Sequence, residues 1–329
     1  MNSIVSFFLV SVLILAGWAG HAAGLDFFLG IIMPLLAALI FIIGVPLRII
    51  RWASSPVPFR ITTTCGQQKS LPWIKPDNLE SPYNTAGVIG RMILEVLFFR
   101  SLFRNTRTDL AEGPGLSYAS SKWLWIFAML FHWSFLIIVI RHLRFFTEPV
   151  FILSSLLEGI DGIFQVGIPV LFITDILFIT SISYLFIRRI LVPRIKYISL
   201  ASDYFPLLLI LAIAVTGVLM RHFYKVDIIA VKKLAMGLVT FSPVIPDGIG
   251  AFFYIHLFLV CVLFIYIPAS KLMHMAGIFM SPTRNLANTN RIKRHINPWN
   301  HPVKVHTYEE WEDEFRDRLK SCGIPLERE

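Results

Sequence analysis

Long apolar runs alternate with short polar and basic segments along most of this chain. Runs of membrane-spanning length lie at about 3–20, 27–47, 123–146, 166–187, 204–221 and 250–274. A transmembrane helix needs about 20 consecutive, mainly apolar residues, and each run is close to that length. The pattern therefore predicts an all-α integral membrane protein with about six transmembrane helices.

Positive charge predicts the orientation of these spans. The fourth span ends in RRILVPRIK, whereas the connection after the third span contains Glu148, Glu158 and Asp161 without a basic residue. Because short loops rich in Lys and Arg stay in the cytoplasm, the N- and C-termini are both predicted to be cytoplasmic. We therefore expect a multi-pass protein of the cell membrane.

The first run could be a cleaved signal peptide, and the second contains prolines and arginines that bear on its ends. Residues 3–20 are followed by GHAAG, which is typical of a signal-peptide cleavage region, but no Lys or Arg precedes them. We favour a retained transmembrane helix. The second run is expected to break at Pro34 and Pro46, and Arg48 and Arg51 are expected to stop it.

The spans divide the chain into four regions. We expect two N-terminal transmembrane helices in 1–50, a cytoplasmic loop in 51–121, a four-helix domain in 122–280 and a cytoplasmic tail with a short soluble helix in 281–329. Within the loop, residues 86–104 alternate an apolar stripe with charged positions. This pattern predicts an amphipathic helix on the membrane surface or under a partner protein.

Composition excludes several classes of protein. The chain has 329 residues, of which 56% are hydrophobic, and is more apolar than an ordinary soluble domain. Its net charge of +9 lies mainly beside apolar runs, which favours a topological role and argues against nucleic-acid binding. Cys65, Cys261 and Cys322 form no C-x-x-C pair, so we expect any iron–sulfur centre to belong to a partner.

Four histidines lie within two of the predicted spans. His132 and His142 are in the third span, and His256 and His274 are in the sixth. On continuous helices these pairs are about 15 Å and about 27 Å apart. Two helices that each present two imidazoles to a common interior suit two stacked b-type haems, each bound by two histidines.

The predicted topology assigns each histidine a partner. The third and sixth spans are antiparallel, so His132 and His274 are expected to ligate an inner haem, and His142 and His256 an outer haem. The unequal spacings require tilted helices, and Pro268 offers a kink. A single intramembrane histidine can instead be an interhelical contact, but four at two matched depths favour haem.

Cations near these histidines are candidates for binding haem propionates. They are Arg141, Arg221 and Lys271, with Arg144 a weaker candidate. A carboxylate near the membrane interface favours a cationic partner. The alternative is that these side chains only anchor helix ends by extending their charges to the interface.

Three further residues are candidates for a quinone site. His222 ends the fifth span and could contact a quinone, ligate the outer haem, or contact a propionate. Asp175 interrupts VLFITDILFIT inside the fourth span, where it could relay protons or pair with an arginine. Lys225 lies in the outer connection that is expected to cap such a site.

Several stretches resemble a known family. They are TTTCGQQKSLPWIKP, RNTRTDLAEGPGLSYASSKWLW, LMRHFYKVDIIAVKKLAMGLVTFSP, SKLMHMAGIFMSPTRNLAN and HINPWNHPVKVHTYEEWEDEF. They resemble the membrane cytochrome b subunit, called DsrM, of the complex associated with dissimilatory sulfite reduction, over about residues 50–315. The histidine spacing resembles the related gamma subunit of respiratory nitrate reductase, and the cytochrome b of membrane heterodisulfide reductase is the second choice.

The resemblance implies an electron-transfer subunit of a menaquinol oxidoreductase complex. It implies two haem b groups on the four histidines, menaquinone near the outer haem, and a cytoplasmic iron–sulfur subunit resembling the catalytic subunit of heterodisulfide reductase. Further membrane and extracytoplasmic subunits, including a c-type cytochrome, are expected. The quinol-site lysine of the nitrate reductase gamma subunit has no counterpart at the outer end of span four.

Two other classes of function stay open from the residues alone. A transporter could use Asp175, Arg141 and Arg221 as a charged pathway, although the sequence contains no evident inverted repeat. An assembly scaffold could use the 51–121 loop and the tail. Neither class explains why the four histidines are aligned.

Overall fold

The computed structural model describes residues 2–57, 66–110, 116–164, 170–293 and 305–327. These residues are mostly helical. The helices are α1 (Asn2–Ala22), α2 (Met33–Ala53), α3 (Thr85–Phe98), α4 (Arg100–Phe103), α5 (Lys122–His142), α6 (Ile152–Asp161), α7 (Ile173–Leu191), α8 (Pro193–Ile198), α9 (Ala201–His222), α10 (Ile228–Val239), α11 (Ala251–Tyr266), α12 (His274–Gly277), α13 (Pro282–Asn285) and α14 (Tyr308–Ser321).

Shorter elements connect these helices. A π-helical turn precedes α2 at Phe28–Ile32, and 3₁₀ turns lie at Leu143–Phe145, Ile267–Ala269 and Lys271–Met273. Two antiparallel hairpins pair β1 (Thr106–Leu110) with β2 (Leu116–Ser120) and β3 (Gly162–Phe164) with β4 (Leu171–Phe172). The apolar pattern predicts neither hairpin, because both are short and lie between helices.

Five helices of the described chain are long and apolar enough to cross a membrane: Asn2–Ala22, Phe28–Ala53, Lys122–Phe145, Ala201–His222 and Ala251–Ala269. The prediction of an all-α membrane protein is therefore confirmed. The remaining predicted span, the fourth, corresponds to α7, which has 19 residues but carries Asp175, Arg188 and Arg189. It nevertheless packs between α5 and α9.

The long helices pack in a consistent order. α5 lies against α7, α7 against α9 and α9 against α11, while α1 contacts both α9 and α11, and α2 lies against α11. Their shared core buries Ile182, Leu209 and Leu259 completely. Gly17 permits the close crossing of α1 and α11, because a Cβ there would lie 3.2 Å from the Cα of Ile255.

The prediction for the second span is wrong about the break at Pro46 and about its end. Pro34 lies just after the π-helical turn that ends at Ile32, so regular α-helical hydrogen bonding is interrupted there, although the helix itself continues. The helix continues past Pro46 and the two arginines to Ala53. Arg48 lies over the ring of Trp52, 5.3 Å from its centroid, so its charge sits at the helix surface without ending the helix.

The prediction that His256 and His274 share one continuous helix is also wrong. α11 ends at Tyr266, and Ser270 is extended, with φ −104° and ψ 177°. Pro268 has no N–H to continue the helix, and the Ser270 hydroxyl accepts the N–H of Leu272 at 3.1 Å, which starts a new turn. The expected spacing of 27 Å therefore does not apply.

The fourth span begins later than predicted. Residues 165–169 lie outside the described chain, 171–172 form β4, and α7 starts at Ile173. Asp175 consequently lies in the first turn of α7 and not well inside a span. A carboxylate is favourable there because the helix dipole is positive at its N-terminus.

The predicted helix at 86–104 is two helices that meet at an elbow. Phe99 separates α3 from α4 and has left-handed backbone angles, φ 50° and ψ 47°. The polar side of α3 faces the protein, since Arg91 and Glu95 are buried, whereas Ile89 and Phe98 are about half exposed. Burial lowers the pKa of the Arg91 guanidinium from its usual value, although nearby Glu80 and Glu95 oppose this shift.

Candidate functional site

One end of the helical bundle brings His132 and His274 together. His132 lies in the third turn of α5, and His274 is the first residue of α12, just after the break that follows α11. Their ring centroids are 6.0 Å apart and their planes are nearly perpendicular, at 86°. The break thus places His274 beside His132.

His142 and His256 form a second pair. His142 is the last residue of α5, and His256 lies in the second turn of α11. The two imidazoles are close enough to interact electrostatically. The charged side chains of Arg141, Asp175 and Arg221 are also close enough to interact with His142. His142 therefore has charged side chains around it.

Each of the four imidazoles uses Nδ1 for a hydrogen bond within the protein. Nδ1 of His132 contacts the Ala128 carbonyl at 2.7 Å, that of His142 the Ile138 carbonyl at 2.7 Å, and that of His274 the Lys271 carbonyl at 2.9 Å. Such a bond fixes the tautomer and orients the ring, which leaves Nε2 as the ligating atom.

His256 differs from the other three histidines. Its Nδ1 contacts the hydroxyl of Thr216 at 3.0 Å, and the Ile213 carbonyl lies nearby. The Thr216 hydroxyl in turn donates to the Ala212 carbonyl at 2.8 Å. Gly217 lies beside this ring, where a Cβ would be in ordinary van der Waals contact with Cε1 of His256, at 3.4 Å.

The His132–His274 pair fits haem iron. Two metal–imidazole bonds of about 2 Å, with about 1 Å from each nitrogen to its ring centre, put two opposed ring centres about 6 Å apart. The rings of His132 and His274 have that separation. Two imidazoles brought together in this way are a donor set that would suit haem iron.

Arg141 has carboxylate partners within this chain. Its side chain is buried, its Nη1 contacts Asp161, and its Nη2 donates to Asp175 at 3.0 Å. Asp161 also accepts the backbone N–H of Thr174 at 2.9 Å. Of the two roles predicted for Asp175, the structure places it as the partner of an arginine. Arg144 likewise pairs with Glu158.

The other two propionate candidates differ from each other. Lys271 is exposed and donates to Asp203 at 2.6 Å. Arg221 is half-buried, its Nε donates to the Val170 carbonyl at 3.2 Å, and its guanidinium lies 4.1 Å from the centre of the Phe172 ring. Arg141 lies 3.7 Å from the same ring. Arg221 makes no salt bridge to a carboxylate among the described residues.

The quinone candidates His222 and Lys225 lie at the end of α9. Nε2 of His222 is buried and has no hydrogen-bond partner in the described structure. Lys225 lines a pocket of about 360 Å³ between the end of α9 and the start of α11. The rings of Tyr224 and Phe252, which stack at 4.1 Å, form part of its wall.

Sequence reasoning missed two residues that touch the histidines. Thr216 contacts His256 from another helix, and Phe99 contacts His132 from the 51–121 loop. Nothing in the local sequence marks Thr216, because a threonine on an apolar helix usually bonds only to its own backbone. The FFRSLFR stretch does suggest an aromatic cluster, but it does not indicate which ring turns inward.

Comparison with known proteins identifies the family. Residues 94–295 match the nitrate reductase gamma subunit family. The chain belongs to this family. The matched region contains all four paired histidines, both residues that sequence reasoning missed, and every helix from α5 to α13.

Two individual proteins are similar to this chain over most of its length. The chain is 45% identical over 277 residues to the Hdr-like menaquinol oxidoreductase cytochrome b-like subunit of Archaeoglobus fulgidus, covering 82% of each chain. It is 42% identical over 274 residues to the protein with the same description from Archaeoglobus profundus, covering 81% of each chain. Family membership therefore extends over most of the sequence.

Proposed function

We propose that this protein is a membrane cytochrome b subunit that holds two haem b groups and exchanges electrons with menaquinone. The observation that carries the proposal is the pairing of four imidazoles, each with Nδ1 bonded within the protein and Nε2 available. His132 and His274 would hold the inner haem, and His142 and His256 the outer haem. Bound haem supplies one-electron chemistry at each site.

The chain's own residues prepare these sites. The carbonyls of Ala128, Ile138 and Lys271 hold the ring orientations, so little reorganisation accompanies ligation. Arg221 is the best propionate partner, because its guanidinium lies beside the outer pair and forms no salt bridge among the described residues. Arg141 and Lys271 already have carboxylate partners, so we assign them structural roles.

Quinone chemistry fits the outer end. Oxidation of a quinol releases protons as well as electrons, so its site needs a proton acceptor beside the electron acceptor. Nε2 of His222 is buried without a hydrogen-bond partner among the described residues. Lys225, which follows closely in the sequence, lines a pocket. We assign His222 and Lys225 to the quinone site, and Asp175 to holding Arg141. The relatives' description as menaquinol oxidoreductase subunits supports menaquinone as the substrate.

The proposed complex spans the membrane. The basic loops favour cytoplasmic termini, which puts the His132–His274 pair on the cytoplasmic side. A cytoplasmic iron–sulfur subunit resembling the catalytic subunit of heterodisulfide reductase would exchange electrons there.

The DsrM-like stretches support a role in sulfur metabolism with further membrane subunits and a c-type cytochrome. The relatives' "Hdr-like" description equally favours a membrane heterodisulfide reductase, and the subunits that co-purify would decide between these complexes.

Haem content tests the proposal. We expect two b-type haems per purified, fully loaded chain, measured from the pyridine haemochrome spectrum. His132→Ala or His274→Ala should remove one haem, and His142→Ala or His256→Ala the other, because each iron loses an axial ligand. His306→Ala, in the polar tail, is the control and should retain both. One haem or none in the wild-type chain would refute the proposal, and loss of a haem from His222→Ala would refute the pairing.

A further inference from the structure

The elbow between α3 and α4 lies directly against the His132–His274 pair. The Phe99 ring meets the His132 ring edge to face, with centroids 4.9 Å apart and planes at 79°. Its backbone is left-handed, a conformation that is costly for a bulky side chain. Such strain persists only where the surrounding structure imposes it, and it often accompanies function.

A buried carboxylate imposes the elbow from one side. Glu95, in the last turn of α3, accepts the backbone N–H of Ser101 at 2.9 Å and its hydroxyl at 2.8 Å. Ser101 lies in the first turn of α4, so this contact joins the two helices across Phe99. Arg284 lies 3.5 Å from the same carboxylate and balances its charge. The two helices are thereby held at a fixed angle.

Two tryptophans of α5 hold the elbow from the other side. The indole N–H of Trp125 donates to the Phe98 carbonyl at 2.7 Å, and that of Trp133 donates to the Leu97 carbonyl at 3.1 Å. These carbonyls lie at the end of α3, where helix carbonyls lack partners of their own. Trp125 and Trp133 lie on either side of His132 in α5, so the elbow is fixed to the helix that carries this histidine.

We propose that Phe99 is a positioning residue for the inner haem. Its ring limits rotation of the His132 imidazole and excludes water from that edge of the site. This inference rests on the proposed haem function and goes beyond it, because it assigns control of one haem to a loop outside the transmembrane helices. Since solvent exposure is one of the factors that set haem potential, removing the ring should lower the potential of the inner haem only.

Substitutions at Phe99 can separate loss of the ring from loss of the backbone conformation. Phe99→Gly and Phe99→Asn remove the ring but tolerate left-handed angles, whereas Phe99→Leu keeps apolar bulk. Phe98→Ala is the matched control, because Phe98 lies beside Phe99, its side chain is about half exposed, and its carbonyl remains to accept the Trp125 N–H. Each would be made in wild-type protein and in His142→Ala protein, where only the inner haem should remain.

The readouts are the haem content, the redox titration and the electron paramagnetic resonance spectrum of the low-spin haem. We expect Phe99→Gly and Phe99→Asn to lower the potential and change the spectrum of the inner haem, Phe99→Leu to have a smaller effect, and Phe98→Ala to have none. An unchanged inner-haem potential and spectrum in Phe99→Gly and Phe99→Asn would overturn this inference. Absence of haem from the wild-type chain would instead overturn the proposed function.

Discussion

Hydrogen bonding at Nδ1 distinguishes His256 from the other three paired histidines. His132, His142 and His274 bond to backbone carbonyls, which no side-chain substitution removes. His256 depends on the Thr216 hydroxyl, with the Ile213 carbonyl nearby. The outer pair is therefore the one in which a single side-chain change can remove a hydrogen bond to Nδ1.

Thr216→Val should weaken the outer site. The substitution keeps the shape of the side chain but removes the oxygen that contacts His256, and loss of an outer-shell partner lowers metal affinity by about 10- to 100-fold. We expect about a tenfold loss of outer-haem affinity, measured by haem titration of the apoprotein, and a shifted outer-haem potential. Thr216→Ser keeps the hydroxyl and should bind normally. Equal affinities of the Val and Ser variants would show that Thr216 does not support His256.

Three elements meet at the buried ion pairs of Arg141. The arginine lies in the last turn of α5, Asp161 is the last residue of α6, and Asp175 lies in the first turn of α7. Arg141 and Asp161 are both nearly inaccessible to solvent. Because isolated charges are costly in such surroundings, these contacts fix how the helix carrying His142 meets its neighbours.

Asp161→Ala should destabilise this junction. It leaves Arg141 with one carboxylate partner and removes the acceptor for the Thr174 N–H. Breaking a buried pair by removing one partner costs about 3–5 kcal/mol, and the remaining Asp175 contact should hold the loss near the lower end. The unfolding midpoint in detergent would measure it. Glu158→Ala, which breaks the more exposed pair with Arg144, should cost much less. Similar midpoints for both variants would contradict this assignment.

Across the whole molecule, charge and helix packing favour one orientation in the membrane. The side chains of Asn2 and Ser6 in the first turns of α1 donate to the backbone carbonyls of Ser199 and Ala201 where α9 begins, so these two helices start at the same end of the bundle. The RRILVPRIK segment that precedes α9 is basic. By the positive-inside rule, we propose that this end faces the cytoplasm.

Cysteine labelling tests this orientation. In a chain whose own cysteines are replaced, Lys75→Cys lies in the 51–121 loop and Lys233→Cys lies in α10, and both positions are exposed. An impermeant thiol reagent added to intact cells should label Lys233→Cys but not Lys75→Cys. Permeabilised cells should allow labelling of both. The reverse pattern would invert the proposed sidedness of the two haems.

The sequence by itself determined the class of the protein and the identity of the four paired histidines. Apolar runs of bilayer length leave few alternatives to transmembrane helices, since unpaired backbone groups are not tolerated in lipid. Histidines inside such runs are rare enough to indicate function. The family resemblance added expectations about cofactors and partners that the residue pattern alone does not contain.

Only the tertiary structure decided the local geometry. The sequence predicts a kink at Pro268 and the pairing of His132 with His274, but helix arithmetic does not anticipate a complete break at Ser270, because the break depends on a cap formed after Pro268. The partners of Arg141 come from two other helices, and the position of Phe99 depends on a strained elbow. The last two features depend on contacts between residues far apart in the chain, whereas hydrophobic periodicity reports only on local structure.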